Sequence, residues 1–180
     1  MTNTYMKSNR RLIQIVIFLG VLLLGGYAIG NALFSSHDGL PRKGSEPPDF
    51  ALLGMDGQTH RLADYKGKAL VINFWGTYCP GCVTETPDLV AQYAKHKDKS
   101  FEVVGINLGE DKLTVSNFVK QFDVNYSILL NENNDVQRKY GLKSYPTTFF
   151  VKPDGTIQDI FVGPMAEADM DKRIEKLLQS

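Results

Sequence analysis

The chain has 180 residues with 20 basic and 20 acidic side chains, two cysteines and three histidines. A neutral total with no basic block lacks the electrostatic footprint of a nucleic-acid binder, so no nucleic-acid partner is expected. One cysteine pair and the scattered His37, His60 and His96 do not supply the four spaced ligands usual for structural zinc, so no metal site is expected.

The chain opens on an acid-free tip, residues 1–11, carrying Lys7, Arg10 and Arg11. Residues 12–34 then hold no charged side chain. As a helix this stretch would reach about 34 Å, enough to cross a bilayer core of about 30 Å. It is expected to be a transmembrane signal-anchor, giving a single-pass protein of the cell membrane. The positive residues ahead of the span place the tip in the cytoplasm and the rest on the extracytoplasmic face. The competing reading is a cleaved secretory signal, whose apolar region is shorter, about 7–15 residues; Gly30-Asn31-Ala32 is a weak form of its cleavage site. Beyond it, residues 35–44 read as a polar tether rich in Pro and Gly, and 45–180 as one domain with its own core. Without the tip's three positive charges, the remainder carries 17 basic against 20 acidic residues.

Within the domain, Phe50–Leu53 and Thr59–Leu62 flank an Asp56-Gly57 turn and predict a β-hairpin. Ala69–Trp75 is apolar apart from Asn73, as expected of a strand covered on both faces. A helix containing Pro87 should follow, to about Ala94. Phe101–Leu108 reads as a second buried strand. Leu113, Val115, Phe118, Val119 and Phe122 then recur at helical spacing, a pattern of core packing. Tyr126–Leu130 makes a third strand, and Asp135–Tyr140 a short helix stopped by Gly141. Thr147–Val151 and Thr156–Val162 pair through a Lys-Pro-Asp-Gly turn, and Met165–Leu178 closes the chain as an amphipathic helix. The order predicts an α/β fold with a mixed sheet.

The two cysteines stand in Trp75-Gly76-Thr77-Tyr78-Cys79-Pro80-Gly81-Cys82, between the first apolar strand and the helix. A disulfide across two residues closes too small a loop to remove much unfolded-chain entropy, so stapling explains the pair poorly. Val83 rather than His after Cys82 excludes c-type haem attachment. At a strand-to-helix turn, a Cys-x-x-Cys pair is the signature of a redox dithiol. The helix N-terminus there favours the thiolate of the first sulfur. Cys79, at the tip, is thus the expected attacker and Cys82 the resolver. Glu85 lies three residues beyond Cys82 and shares its helix face, where a partly buried carboxyl could carry the second proton. The alternative role for Glu85 is to stabilise the helix dipole, and for Glu110 to cap the next helix.

Phe74–Cys82 with Pro87, together with Gly141-Leu142-Lys143-Ser144-Tyr145-Pro146-Thr147-Thr148, resembles the thioredoxin superfamily, whose second landmark is a cis-proline loop facing the dithiol. The anchor, the leading hairpin, the extra strand-helix unit at about 101–122, Cys82–Pro87 and Val104–Glu110 resemble more narrowly the membrane-anchored ResA/TlpA group of thiol-disulfide oxidoreductases. That resemblance implies a thioredoxin-like fold with an N-terminal β-hairpin and a central insertion, and a redox-active Cys79–Cys82 disulfide. It also implies a cis Tyr145–Pro146 bond, active-site roles for Glu85 and Glu110, and no cofactor. Trp75, Tyr78, Tyr145 and Pro146 are expected to form the substrate-binding surface, although Trp75 reads equally as a core aromatic. The group often carries Glu-Pro where this chain has Pro80-Gly81, and ordinary thioredoxin has an aspartate where this chain has Asn73.

The resemblance implies a reductase of disulfides in exported proteins, such as apocytochrome c before haem attachment, itself re-reduced by a membrane-embedded thiol carrier. Other readings are a reductase for a different exported or spore-envelope client, a disulfide-forming oxidase, a peroxiredoxin-like peroxidase, or an anchored binding module with an inert disulfide. The local Cys79–Cys82 coupling argues against the peroxidase.

Overall fold

The computed structural model describes residues 13–26 and 40–180. Residues 13–26 are helical, and side chains around that helix, from Ile13 and Ile15 to Leu23 and Leu24, are exposed and apolar. Among the described residues no helix is long and apolar enough to cross a membrane. The rest of the expected anchor, the cytoplasmic tip and residues 35–39 of the tether lie outside the described residues. A second compact unit runs from Leu40 to Ser180.

That unit is built on one seven-stranded mixed sheet. Its strands are β1 (Ala51–Gly54), β2 (Thr59–Arg61), β3 (Ala69–Trp75), β4 (Phe101–Leu108), β5 (Ser127–Asn131), β6 (Thr147–Val151) and β7 (Ile157–Val162), in the order β2-β1-β5-β4-β3-β6-β7. β3, β4 and β5 run parallel, which needs crossover connections, and helices supply them. These are α1 (Pro80–His96) and α2 (Lys112–Gln121); α3 (Asp135–Lys139) and α4 (Glu167–Leu178) follow. The leading hairpin adds to β5 through Leu53 and Leu130, and the closing hairpin to β3 through β6.

Period-two alternation along β3 divides the core. Leu70, Ile72 and Phe74 face α3 with Phe149, Leu129 and Tyr140; Val71 and Trp75 face the side of α1, α2 and α4 with Leu89, Phe118 and Ile174. Asn73 shares the parity of Val71 and Trp75, so this polar residue is delivered to the α1 side, where Glu85 lies.

Four elements differ from expectation. Leu113 is 71% exposed: it lies about 180° from Phe122 around a helix, off the stripe that buries Val115 and Phe118. A 3₁₀ turn, Leu62–Tyr65, follows the first hairpin and buries Tyr65, whose hydroxyl meets His60 Nδ1 at 2.7 Å. α4 starts at Glu167 rather than Met165, because Ala166 is extended and serves as its N-cap, while Met165 N–H donates to Glu85. Residues 42–45, partly expected as tether, are held on β7. Gly44 N–H donates to Ile157 O at 2.8 Å, Ile157 N–H donates to Ser45 O at 2.8 Å, and Lys43 pairs with Asp159.

Candidate active site

The parallel strands deliver the site at their C-terminal ends. β3 ends at Trp75, Gly76 begins a turn closed by Cys79 N–H donating to Gly76 O at 3.2 Å, and α1 starts at Pro80. Proline is tolerated there because its missing N–H would have no helical partner. Cys79 is the N-cap of α1: its Sγ accepts from Cys82 N–H at 3.2 Å. Cys79 and Cys82 are disulfide-bonded, and Cys79 retains 8% exposure against 1% for Cys82. The cysteine at the helix tip is therefore the less deeply buried of the two, and the cap donor with the helix dipole favours its thiolate.

Glu85 sits one turn further along α1, 1% exposed. Its Oε2 accepts from Met165 N–H at 3.1 Å, and its Oε1 from Asn73 Nδ2 at 2.8 Å; Asn73 Nδ2 also donates to Thr148 Oγ1 at 3.0 Å. Burial pushes the Glu85 carboxyl up to about 7, while the Met165 and Asn73 hydrogen bonds pull the other way and Asp88 adds to the rise. A carboxyl that titrates near neutrality is matched to proton transfer. Asn73 orients it without exchanging protons.

Glu110 takes a different place. It accepts from Thr77 N–H at 2.8 Å, from the Thr77 hydroxyl, and from Asn107 Nδ2 at 2.7 Å. Its hydrogen bonds thus hold the turn that leads into Cys79 and engage neither sulfur. Trp75 is 3% exposed and packs on Phe118 at 4.7 Å between ring centroids, beneath the surface rather than on it. Tyr78 is 59% exposed beside Cys79, with its ring folded over Gly76. The Tyr145–Pro146 bond is cis, and the Pro146 ring approaches Gly81. The structure therefore gathers Cys79, Cys82, Glu85, Tyr78, Tyr145 and Pro146 around one end of α1. Glu110 acts on that cluster through Thr77, and Trp75 through packing.

Three participants were not singled out in the sequence: Thr77, Thr148 and the Gly163-Pro164-Met165 loop. The Gly-Pro pair between the last strand and the last helix was the visible signal for the loop. Among the described residues no group of three or more His, Cys, Asp or Glu side chains could hold a metal ion.

With the geometry in view, three comparisons place the chain. The AhpC/TSA family model matches residues 44–160. The thiol-disulfide oxidoreductase ResA of Bacillus subtilis (strain 168) is 37% identical over 164 residues, covering 91% of each chain. The chain belongs to the AhpC/TSA family and to the ResA thiol-disulfide oxidoreductases. ResA of Geobacillus kaustophilus is 34% identical over 173 residues, 96% of this chain and 99% of that one. Among solved structures, a thiol:disulfide interchange protein of the thioredoxin family from Chlorobium tepidum superposes with a TM-score of 0.69 at 28% identity, covering 76% of this chain and 98% of that one. The fold is thioredoxin-like, and as a member of the ResA oxidoreductases the chain performs dithiol/disulfide exchange. Its substrate carries a disulfide.

Proposed function

We propose that this oxidoreductase works as a reductase of disulfides in exported proteins, with Glu85 taking up the resolving cysteine's proton. The observation that carries the reading is the buried Glu85 carboxyl on the helix face of Cys82. A strong protein oxidant is one whose reduced, thiolate form is stabilised. A carboxylate close to the sulfurs has the opposite effect: it opposes thiolate formation and so favours giving electrons away. Reduction of the substrate then proceeds in two steps. Cys79 thiolate attacks one substrate sulfur and expels the other; Cys82, deprotonated by Glu85, attacks Cys79 Sγ, restores the Cys79–Cys82 disulfide and releases the second substrate thiol. Glu110 positions the attacker by clamping Thr77.

Residues 12–34 are proposed to anchor the domain on the extracytoplasmic face. The basic tip and the all-round apolar helix at 13–26 support this, since a helix apolar on every side wants a core or a lipid phase. Apocytochrome c before haem attachment is the proposed client and a membrane-embedded thiol carrier the proposed electron donor, both on the strength of the ResA/TlpA resemblance. The deciding experiment is the equilibrium reduction potential of Cys79–Cys82. A value well below about −120 mV, toward that of thioredoxin at about −270 mV, supports the reductase; one at about −120 mV replaces it with an oxidase.

The AhpC/TSA match makes a peroxidase the second reading. The disulfide between Cys79 and Cys82 within one helical turn speaks against it, because the thiol that would meet peroxide is already coupled locally. Hydrogen peroxide turnover by the reduced protein at rates matching its disulfide exchange would restore that reading.

A further inference from the structure

Gly81 is the residue of the dithiol turn with no side chain, and the space beside it is filled. A Cβ built there would lie 3.3 Å from Pro146 Cδ, 3.3 Å from Pro164 Cβ and 3.3 Å from Pro164 Cδ. That is tighter than ordinary carbon contact, and both neighbours are proline rings fixed to their backbone, so relief requires a loop to move. Pro146 is constrained by the sheet: Thr147 directly after it pairs with Phe74 and with Val162. The other ring belongs to the Gly163-Pro164-Met165 loop, which joins β7 to α4.

Each residue of that loop touches the site. Gly163 N–H donates to Pro146 O at 2.8 Å, the Pro164 ring seats on Gly81, and Met165 N–H donates to Glu85 Oε2 at 3.1 Å. Met165 itself is 4% exposed and packs in the same core cluster as Cys79 and Cys82. The groups acting on Glu85 are therefore few: Asn73 and Met165 N–H as donors, Asp88 on its own helix, and the Tyr126 phenol ahead of β5. Of the two donors, Asn73 is fixed in the central strand, and Met165 hangs on the loop seated against Gly81.

We propose that Gly81 and Pro164 are positioning residues for the thiol chemistry: the missing side chain at 81 seats Pro164, and the seated loop holds the Met165 N–H on the Glu85 carboxylate. In this arrangement the residue between the cysteines adjusts the proton acceptor through a backbone amide 84 positions away in the chain, rather than acting on the sulfurs alone. It also gives the Pro80-Gly81 pair a structural reason, since any side chain at 81, a proline's included, would bring a Cβ within 3.3 Å of the Pro146 and Pro164 rings.

The inference deepens the proton role proposed for Glu85, and it can be read separately from that role in the oxidised protein, where neither cysteine titrates. The experiment follows the carboxyl carbon of Glu85 by NMR against pH in the oxidised full chain, in wild type, Gly81→Ala, Pro164→Gly and the double variant. Weakening a hydrogen bond to a carboxylate raises its midpoint, by about one pH unit when most of the bond is lost. Gly81→Ala is expected to raise the midpoint, and Pro164→Gly to raise it as well by releasing the seat. In the Pro164→Gly background the added alanine at 81 should have little further effect. An unchanged midpoint in Gly81→Ala, or equal shifts from that substitution in both backgrounds, overturns the proposal. If Gly81→Ala does not fold, Pro164→Gly alone decides: an unmoved midpoint breaks the link between seat and carboxylate. The proton role is tested apart from this by the pH dependence of exchange in Glu85→Gln.

Discussion

Replacing Glu85 by glutamine should make the oxidised protein more stable above neutral pH and leave it nearly unchanged in acid. Burial raises the carboxyl from its ordinary 4.5 to about 7 in the folded chain. A group whose folded pKa is raised contributes stability that is complete below the unfolded pKa and is lost as pH climbs through the folded one. For Glu85 the loss runs between pH 4.5 and about 7 and amounts to about 3 kcal/mol, at 1.36 kcal/mol per unit. A glutamine carries no such penalty. Its carbonyl can keep the Met165 N–H, and its amide can be met by a 180° turn of the Asn73 amide, whose oxygen would then accept from both the glutamine and the Thr148 hydroxyl. Urea unfolding of oxidised wild type and Glu85→Gln at pH 5 and pH 8 reads the difference directly. The gap should open by about 2.5 kcal/mol from pH 5 to pH 8, part of the total being lost already at pH 5, and any cost of the amide rearrangement, common to both conditions, cancels. Parallel stability curves across that range would show that Glu85 does not titrate there, and the burial argument would fall.

The other expectations concern the rest of the site and its support. Cys82→Ala leaves Cys79 able to attack but removes the resolver, so a stable mixed disulfide with a disulfide-bearing protein should accumulate on non-reducing gels; its absence would remove the assigned roles. Glu110→Ala strands the Thr77 N–H and should cost about 1–3 kcal/mol in chemical denaturation, whereas Glu110→Gln keeps one oxygen to accept from Thr77 N–H and Asn107 Nδ2 and should cost less. Equal losses in both would mean that the clamp is not a hydrogen-bond effect. Phe118→Ala empties the space beneath Trp75 and should cost about 3–5 kcal/mol by the same measurement, and a change below about 1 kcal/mol would contradict the packing described.

How far the sequence could be read depends on the range over which each feature is determined. β3 and β4 were legible to the residue because a run covered on both faces is mostly apolar, broken here by Asn73 in β3 and by Glu102 and Asn107 in β4. Glu85 was legible because a three-residue step along a helix is local geometry. Its partners were not equally so. Asn73 could be placed by strand parity, but the Met165 N–H comes from 80 residues away and is a backbone group, which leaves no side-chain trace. α4 starts late because Ala166 is extended and serves as its N-cap, a backbone choice that the amphipathic spacing does not reveal. Leu113 misled because hydrophobicity was counted without its angle around the helix. The docking of residues 42–45 on β7 escaped notice because a Pro/Gly-rich polar composition describes a tether and an edge-capping turn alike.

Asn73 has one further consequence, in the counting of protons. Two buried carboxyls side by side titrate as a coupled pair, and neither observed midpoint then belongs to a single residue. With an amide in that place, the buried Glu85 carboxyl meets a neutral partner that can turn but cannot ionise. In the oxidised protein, where neither cysteine titrates, the midpoint of Glu85 then belongs to one carboxyl and needs no untangling from a partner.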